Sequence, residues 1–179
     1  MVQKVNNTLF TTEPELDDLQ GIVDAQRDAW RATYPSPENG VSEEWVYERS
    51  SNLSADYIAE RLPKYKSDLN DLYLVAKTNS GEVCGFIHAE KLADYNELSA
   101  LYISPQFIGS GAGGLLMKKF LAWIDITKPS RLECASYNQH AIGFYEHYGF
   151  KITDAELPKF GGVMPIVEMI RPADERDKK

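Results

Sequence analysis

Only two cysteines occur in the 179 residues, Cys84 and Cys134, fifty positions apart, with no CxxC spacing and no Cys/His cluster around either. That excludes the usual sequence signatures of a zinc site, and two isolated thiols in apolar, strand-like stretches read as buried free cysteines of a reducing compartment. His88, His140 and His147 have no partner at metal-ligand or triad spacing, so no metal is expected. No apolar run approaches the ~18 residues that a bilayer-crossing helix needs. The opening stretch MVQKVNNTLFTT has no apolar core of the signal-peptide kind. A soluble, cytoplasmic chain without a membrane partner is the expectation. Basic residues are outnumbered 19 to 27, the formal charge is −8 and no Lys/Arg cluster stands out, so nucleic acid is not an expected partner. A small anion is different, because oriented backbone amides hold one locally inside an acidic surface.

What the chain has is enough length and 43% apolar residues for one domain with a sizeable core. A single domain over 1–172 is expected, with 173–179 (ADERDKK) as a disordered tail. Val5 to Thr11 reads as a short strand. A helix follows, capped by Thr12, turning Leu16, Leu19, Ile22, Val23, Ala29 and Trp30 inward and stopping before Pro35. Two shorter helices come next, one capped by Ser42 and one interrupted at Pro63. DLYLVAKT and VCGFIHAEKLA, joined by NSGE, read as a hairpin, and NELSALYIS as a third strand. After a glycine-rich loop, Leu115, Leu116, Phe120, Leu121 and Ile124 recur at helical spacing until TKPS. RLECASY is a strand, NQHAIGFYEHYG a helix closed by Gly149, and FKITDAEL and VMPIVEMIR two final strands. This order implies a mixed α/β (α+β) fold: a mixed central sheet of six to seven strands with helices on both faces.

The chemistry concentrates in ISPQFIGSGAGGLLMKKFLAW, where four glycines precede a helix. Such a loop brings backbone N–H groups and a helix start to bear on an anion, often a phosphate. A P-loop would need Lys and Ser/Thr after the last glycine, and Leu115 stands there. Gly109, Gly111 and Gly114 match GxGxxG, but residues intervene between strand and glycine, and no acidic residue ends the next strand to hold a ribose. Glycines that serve only tight strand–helix packing are the plain alternative.

The strand NELSALYISP, loop QFIGSGAGG, helix LLMKKFLAWI, strand LECASYN and helix NQHAIGFYEHYGF together resemble the GNAT superfamily of acetyl-CoA-dependent N-acetyltransferases, over roughly residues 70 to 170. The resemblance implies a GNAT fold with acetyl-CoA as cosubstrate and no metal. The partner it implies is a small-molecule or peptide amine acceptor, which the acidic surface would favour if cationic, since opposite charges attract. In the family a Q/R-x-x-G-x-G/A loop cradles the CoA pyrophosphate. Two registers fit here: Gln106, Gly109 and Gly111, or Ile108 in the polar position with Gly111 and Gly113; strand-to-helix spacing favours the second. The implied cradle is Ile108, Gly109, Ser110, Gly111, Ala112, Gly113 and Gly114. Leu101, Tyr102 and Ile103 are implied to pair with the pantetheine arm and stabilise the oxyanion, with Asn138, Ala141 and Phe144 completing the CoA site. The implied catalytic residues are Tyr145, with its hydroxyl at the CoA sulfur, and Glu97 as general base, directly or through water. Trp30 and Tyr34 are candidates for an acceptor wall. Neither cysteine is placed as a nucleophile, so direct attack of the amine is expected. The alternative is an acyl-CoA-binding module of the same fold without turnover. Pairing of final strands between chains, common in this fold, makes a homodimer an expectation.

Overall fold

Alternation along the hairpin sends Tyr73, Val75 and Phe86 to one side of a sheet and Leu72, Leu74, Ala76 and Ile87 to the other, and all of them are buried or half-buried. A strand apolar on both faces must be covered twice, and here helices cover both. The computed structural model describes residues 8–174. Its elements are β1 (Leu9–Thr12), α1 (Leu19–Thr33), α2 (Glu43–Ser50), α3 (Ala55–Ser67), β2 (Asp71–Thr78), β3 (Val83–Lys91), β4 (Asn96–Ile103), α4 (Ala112–Trp123), β5 (Ser130–Ala135), α5 (Gln139–His147), β6 (Lys151–Ile152) and β7 (Ile166–Arg171). Among the described residues these strands form one seven-stranded sheet in the order β1-β2-β3-β4-β5-β7-β6. Helices α1 and α3 bury Ile22, Val23, Ile58 and Leu62 on one face, and α4 and α5 bury Leu116, Met117, Phe120 and Ile142 on the other. The mixed sheet with helices on both sides is as expected from the sequence.

Several boundaries moved. Thr12 ends β1 instead of capping a helix, and a 3₁₀ turn, Leu16–Asp18, precedes α1, leaving Leu16 68% exposed. Glu15 caps that turn reciprocally with Asp18. Val5 to Asn7 of the expected first strand lie outside the described residues. Helix α3 runs through Pro63 without interruption. A mid-helix proline costs about 3 kcal/mol, but Ile58 and Leu62 are buried, and a side chain of that size contributes about 1.5–3 kcal/mol. The strand expected from Phe150 shrinks to Lys151–Ile152. Beyond it the chain arches away to a tight turn where Phe160 pairs with Met164 around Gly161 and Gly162, both at positive φ. Pro165 then delays β7 to Ile166, because proline has no N–H for the ladder. Of the tail, Asp174 is tied down by its amide, which donates to the Ile126 carbonyl at 2.8 Å; 175–179 lie outside the described residues.

The sheet switches from antiparallel to parallel pairing at its centre. β4 runs parallel to β5, yet they pair only at Asn96↔Ser130 and Glu97↔Arg131, and beyond those positions they diverge. Asn96, fully buried, pins the closed end: its Nδ2 donates to the Asp125 carbonyl at 2.9 Å and its Oδ1 accepts from the Asp125 amide at 3.0 Å. The register between β3 and β4 shifts so that Leu98 faces Ala89 and Ala100 faces His88, leaving Ser99 as a bulge residue. Past this bulge Leu101 and Ile103 pack toward α4, while Ala100 and Tyr102 pack toward the α1 side.

Candidate active site

The divergence of β4 and β5 opens a cavity of about 550 Å³ that extends from the glycine turn at the start of α4 to the end of α1. Leu101, Tyr102 and Ile103 line it from β4, on the side that β5 no longer pairs. Backbone groups there are available to an extended ligand in the manner of strand addition.

At the glycine end the chain leaves β4 through a 3₁₀ turn, Pro105–Phe107, and reaches α4 with Gly109 at φ 81° and Gly111 at φ 94°. Those left-handed conformations suit glycine, and an added Cβ at either position would meet nothing within 4 Å. The turn is thus an open concavity at a helix N-terminus, whose first amides lack intrahelical acceptors and carry the positive end of the helix dipole. Ser110 Oγ accepts from the Ala112 amide at 3.3 Å; neither Ser110 nor Ala112 lines the cavity, and Ala112 is buried in the core. Ile108, 55% exposed, stands at the cavity, whereas Gln106 turns away and donates to Glu82 at 3.3 Å. Of the two registers, the one that starts at Ile108 has its first residue at the cavity.

On the facing wall Asn138 caps α5, its Oδ1 accepting from the Ala141 amide at 3.1 Å, and Asn138, Ala141, Phe144 and Tyr145 all line the cavity. Burial holds the Tyr145 phenol well above its ordinary pKa, with Cys134 and Tyr102 nearby adding to the effect. The hydroxyl therefore stays protonated through the physiological range and is available as a donor. Cys134 also borders the cavity, but burial pushes its thiol up to about 11, which keeps it a poor nucleophile.

Trp30 and Tyr34 reach the same cavity from α1, their rings 5.0 Å apart edge to face. The Tyr34 carbonyl accepts from the Tyr137 hydroxyl at 2.7 Å, tying the end of α1 to the β5–α5 turn. Burial raises the Tyr34 phenol well above its usual value, with Tyr102 and Tyr145 close enough to contribute.

Glu97, expected as the base, stands apart from the cavity. It does not line the cavity; it sits at the closed end of the β4–β5 opening, where both carboxylate oxygens accept from Arg131 Nη1 at 3.1 and 3.2 Å. Burial raises its pKa against the opposing pull of Arg131. The carboxylate that does border the cavity is Glu133 on β5, which accepts from Arg131 Nη2 at 2.5 Å. Sequence reading missed it, although period-two alternation from the apolar Leu132 and Cys134 turns Glu133 and Arg131 to the opposite face. Phe160 and Met164, also at the cavity, carried no sequence signal. His140 is exposed, as expected, but at the cavity rim. Among the described residues, no cluster of three or more metal-ligating side chains occurs and no helix is long and apolar enough to cross a membrane.

A profile of acetyltransferase (GNAT) domains matches residues 70–152. A spermidine N(1)-acetyltransferase of Thermoplasma acidophilum is 28% identical over 150 residues, covering 81% of this chain and 89% of its own. The peptidyl-lysine N-acetyltransferase YjaB of Salmonella typhimurium is 26% identical over 137 residues, 71% of this chain and 88% of its own. Among solved structures, PaiA N-acetyltransferase of Thermoplasma acidophilum in complex with coenzyme A matches with a TM-score of 0.68 and 25% identity, over 90% of this chain and 98% of that one. A matching profile, relatives along most of the chain and a parallel pair that opens beside a glycine turn agree: residues 70–152 match the GNAT acetyltransferase domain, and the chain is similar to N-acetyltransferases over most of its length.

Proposed function

We propose that the protein is an N-acetyltransferase that moves acetyl from acetyl-CoA to a primary amine by direct attack. The observation that carries this reading is the cavity between β4 and β5, bounded by an open glycine turn at one end and Tyr145 within. The turn fits a diphosphate, since Gly109 and Gly111 leave room where any side chain would project and α4 presents its N-terminus there. Ile108, Gly109, Gly111, Gly113 and Gly114 would hold the phosphates, and Leu101, Tyr102, Ile103, Asn138, Ala141 and Phe144 the pantetheine arm. Bound acetyl-CoA supplies the thioester: the amine nitrogen bonds to its carbonyl carbon, the C–S bond breaks and the sulfur leaves as thiolate.

The remaining work falls to this chain's side chains. A β4 amide facing the opening donates to the developing oxyanion. Tyr145 donates a hydrogen bond to the sulfur. Its phenol, held well above 10, is a weaker acid than a thiol of ordinary pKa near 8.5, so it steadies the thiolate without surrendering its proton. Glu133, partly open to solvent, accepts the proton that the amine must lose, directly or through water. The largely apolar walls assist, because desolvation favours the neutral amine.

The test is thiol release from acetyl-CoA with a panel of primary amines, alongside thermal shift with CoA. Amine-dependent release supports the reading; thermal stability unmoved by CoA rejects it.

A further inference from the structure

Away from the glycine turn the cavity ends on an aromatic wall assembled from separate segments. Trp30 and Tyr34 come from α1, and Phe160 comes from the arch between β6 and β7, its ring 5.8 Å from that of Trp30. Trp30 is only 7% exposed and borders the cavity, and its buried Nε1 lies by the Tyr102 side chain without completing a hydrogen bond. A buried donor left unpaired beside open space is a group that a ligand or water must satisfy. Negative charge is scarce here: Glu133 is the one carboxylate among the residues bordering the cavity, and Arg131 already holds it. Positive charge is present behind the wall, where the Arg49 guanidinium lies over Trp45 at 5.6 Å and over Phe160 at 5.5 Å.

This arrangement discriminates between amines. A polyamine brings one or more ammonium groups that do not react, and each needs an anionic partner or free water. The wall offers no second carboxylate, and Arg49 repels a further cation. A single ammonium followed by a flat apolar body is served better: aromatic faces attract the cation on entry and bury the ring afterwards. We propose, resting on the acetyltransferase reading above, that the acceptor is a small arylalkyl monoamine whose ring packs against Trp30 and Phe160 with its amino group turned toward the β4–β5 opening. The acidic exterior then governs encounter, and the aromatic wall governs choice.

The experiment uses the full chain with 2-phenylethylamine, spermidine and a lysyl peptide, measuring thiol release with acetyl-CoA, and calorimetry for 2-phenylethylamine with and without CoA. The expected result is a kcat/KM at least about tenfold higher for 2-phenylethylamine than for the other two. Phe160 is 39% exposed, so its truncation spares the core. Phe160→Ala should raise KM for 2-phenylethylamine about tenfold while kcat and CoA affinity stay within about twofold. Preference for spermidine or the peptide, or an unchanged KM in F160A, overturns the inference. CoA binding without binding or acetylation of 2-phenylethylamine also overturns it and leaves the acetyltransferase reading standing. Failure of CoA to bind removes that reading instead, and calorimetry on the chain alone then decides whether the wall takes an arylalkylamine.

Discussion

Glu97 gives both carboxylate oxygens to Nη1 of Arg131, at 3.1 and 3.2 Å, and the same guanidinium holds Glu133 through Nη2 and Glu168 through Nε. One arginine thus ties the closed end of the β4–β5 opening to β7, and it separates two carboxylates that look alike in sequence. Glu97 braces the place where the strands part; Glu133 faces the cavity.

Glu97→Gln should therefore leave kcat/KM within about threefold. The loss of one ion pair of a half-buried guanidinium that keeps two others is worth about 1 kcal/mol, or roughly 2–4 °C in Tm for a chain of this size. Glu133→Gln should lower kcat/KM roughly tenfold or more, with Tm little changed. Turnover in the two variants decides the matter: a collapse in E97Q alone would return the base to Glu97.

Tyr145→Phe removes one hydroxyl and keeps the ring that packs against Phe144 and Phe150. A hydrogen bond to a charged partner is worth about 1.5–3 kcal/mol, so kcat should fall roughly 10- to 150-fold while CoA affinity holds. Unchanged turnover in Y145F would remove the hydroxyl from the chemistry.

Gly111→Ala asks an L-residue to sit at φ 94° with nothing for its Cβ to strike, so the backbone alone sets the cost, about 1–2 kcal/mol. Gly81, at φ 90° in the β2–β3 turn and equally unobstructed, is the matched control. Both alanine variants should lose roughly 2–8 °C in Tm, and only G111A should also weaken CoA binding, about tenfold or more by calorimetry. Equal CoA affinity in the two would place the diphosphate elsewhere.

Burial pushes both Cys84 and Cys134 up to about 11, above the roughly 8.5 of a thiol in an unfolded chain. Above that lower value the unfolded chain sheds protons that the native state retains, so stability declines with rising pH. This contribution is complete below about pH 8.5 and is lost by about pH 11. A Tm measured against pH should hold near neutrality and fall across that window. The buried tyrosines Tyr34, Tyr102 and Tyr145, raised in the same direction, act with it. A melting temperature that does not decline between pH 8.5 and 11 would contradict the burial of these groups.

The order of elements was readable along the chain because each element rests on near neighbours: period two in DLYLVAKT, Ser42 accepting from the Trp45 amide, Asn138 from that of Ala141. The glycine turn was readable for the same reason, since positive φ at Gly109 and Gly111 is a local demand that glycine meets. Pro63 misled because a local penalty was outweighed by burial that depends on distant partners, and Leu16 because periodicity alone does not reveal where a helix begins.

Which carboxylate meets the cavity, and what closes its end away from the glycine turn, depended on contacts far apart in sequence. The assignment of Glu97 and Glu133 turns on β4 and β5 pairing at only two positions and on the Ser99 bulge, neither of which has a local signature. Phe160 joins Trp30 across 130 positions because Gly161, Gly162 and Pro165 fold the arch back over the end of α1. Backbone preference and hydrophobic period act over a few residues, so they were legible in the amino-acid order. The chemistry of the cavity arises where segments meet, and that meeting was settled by strand register and burial in the folded chain.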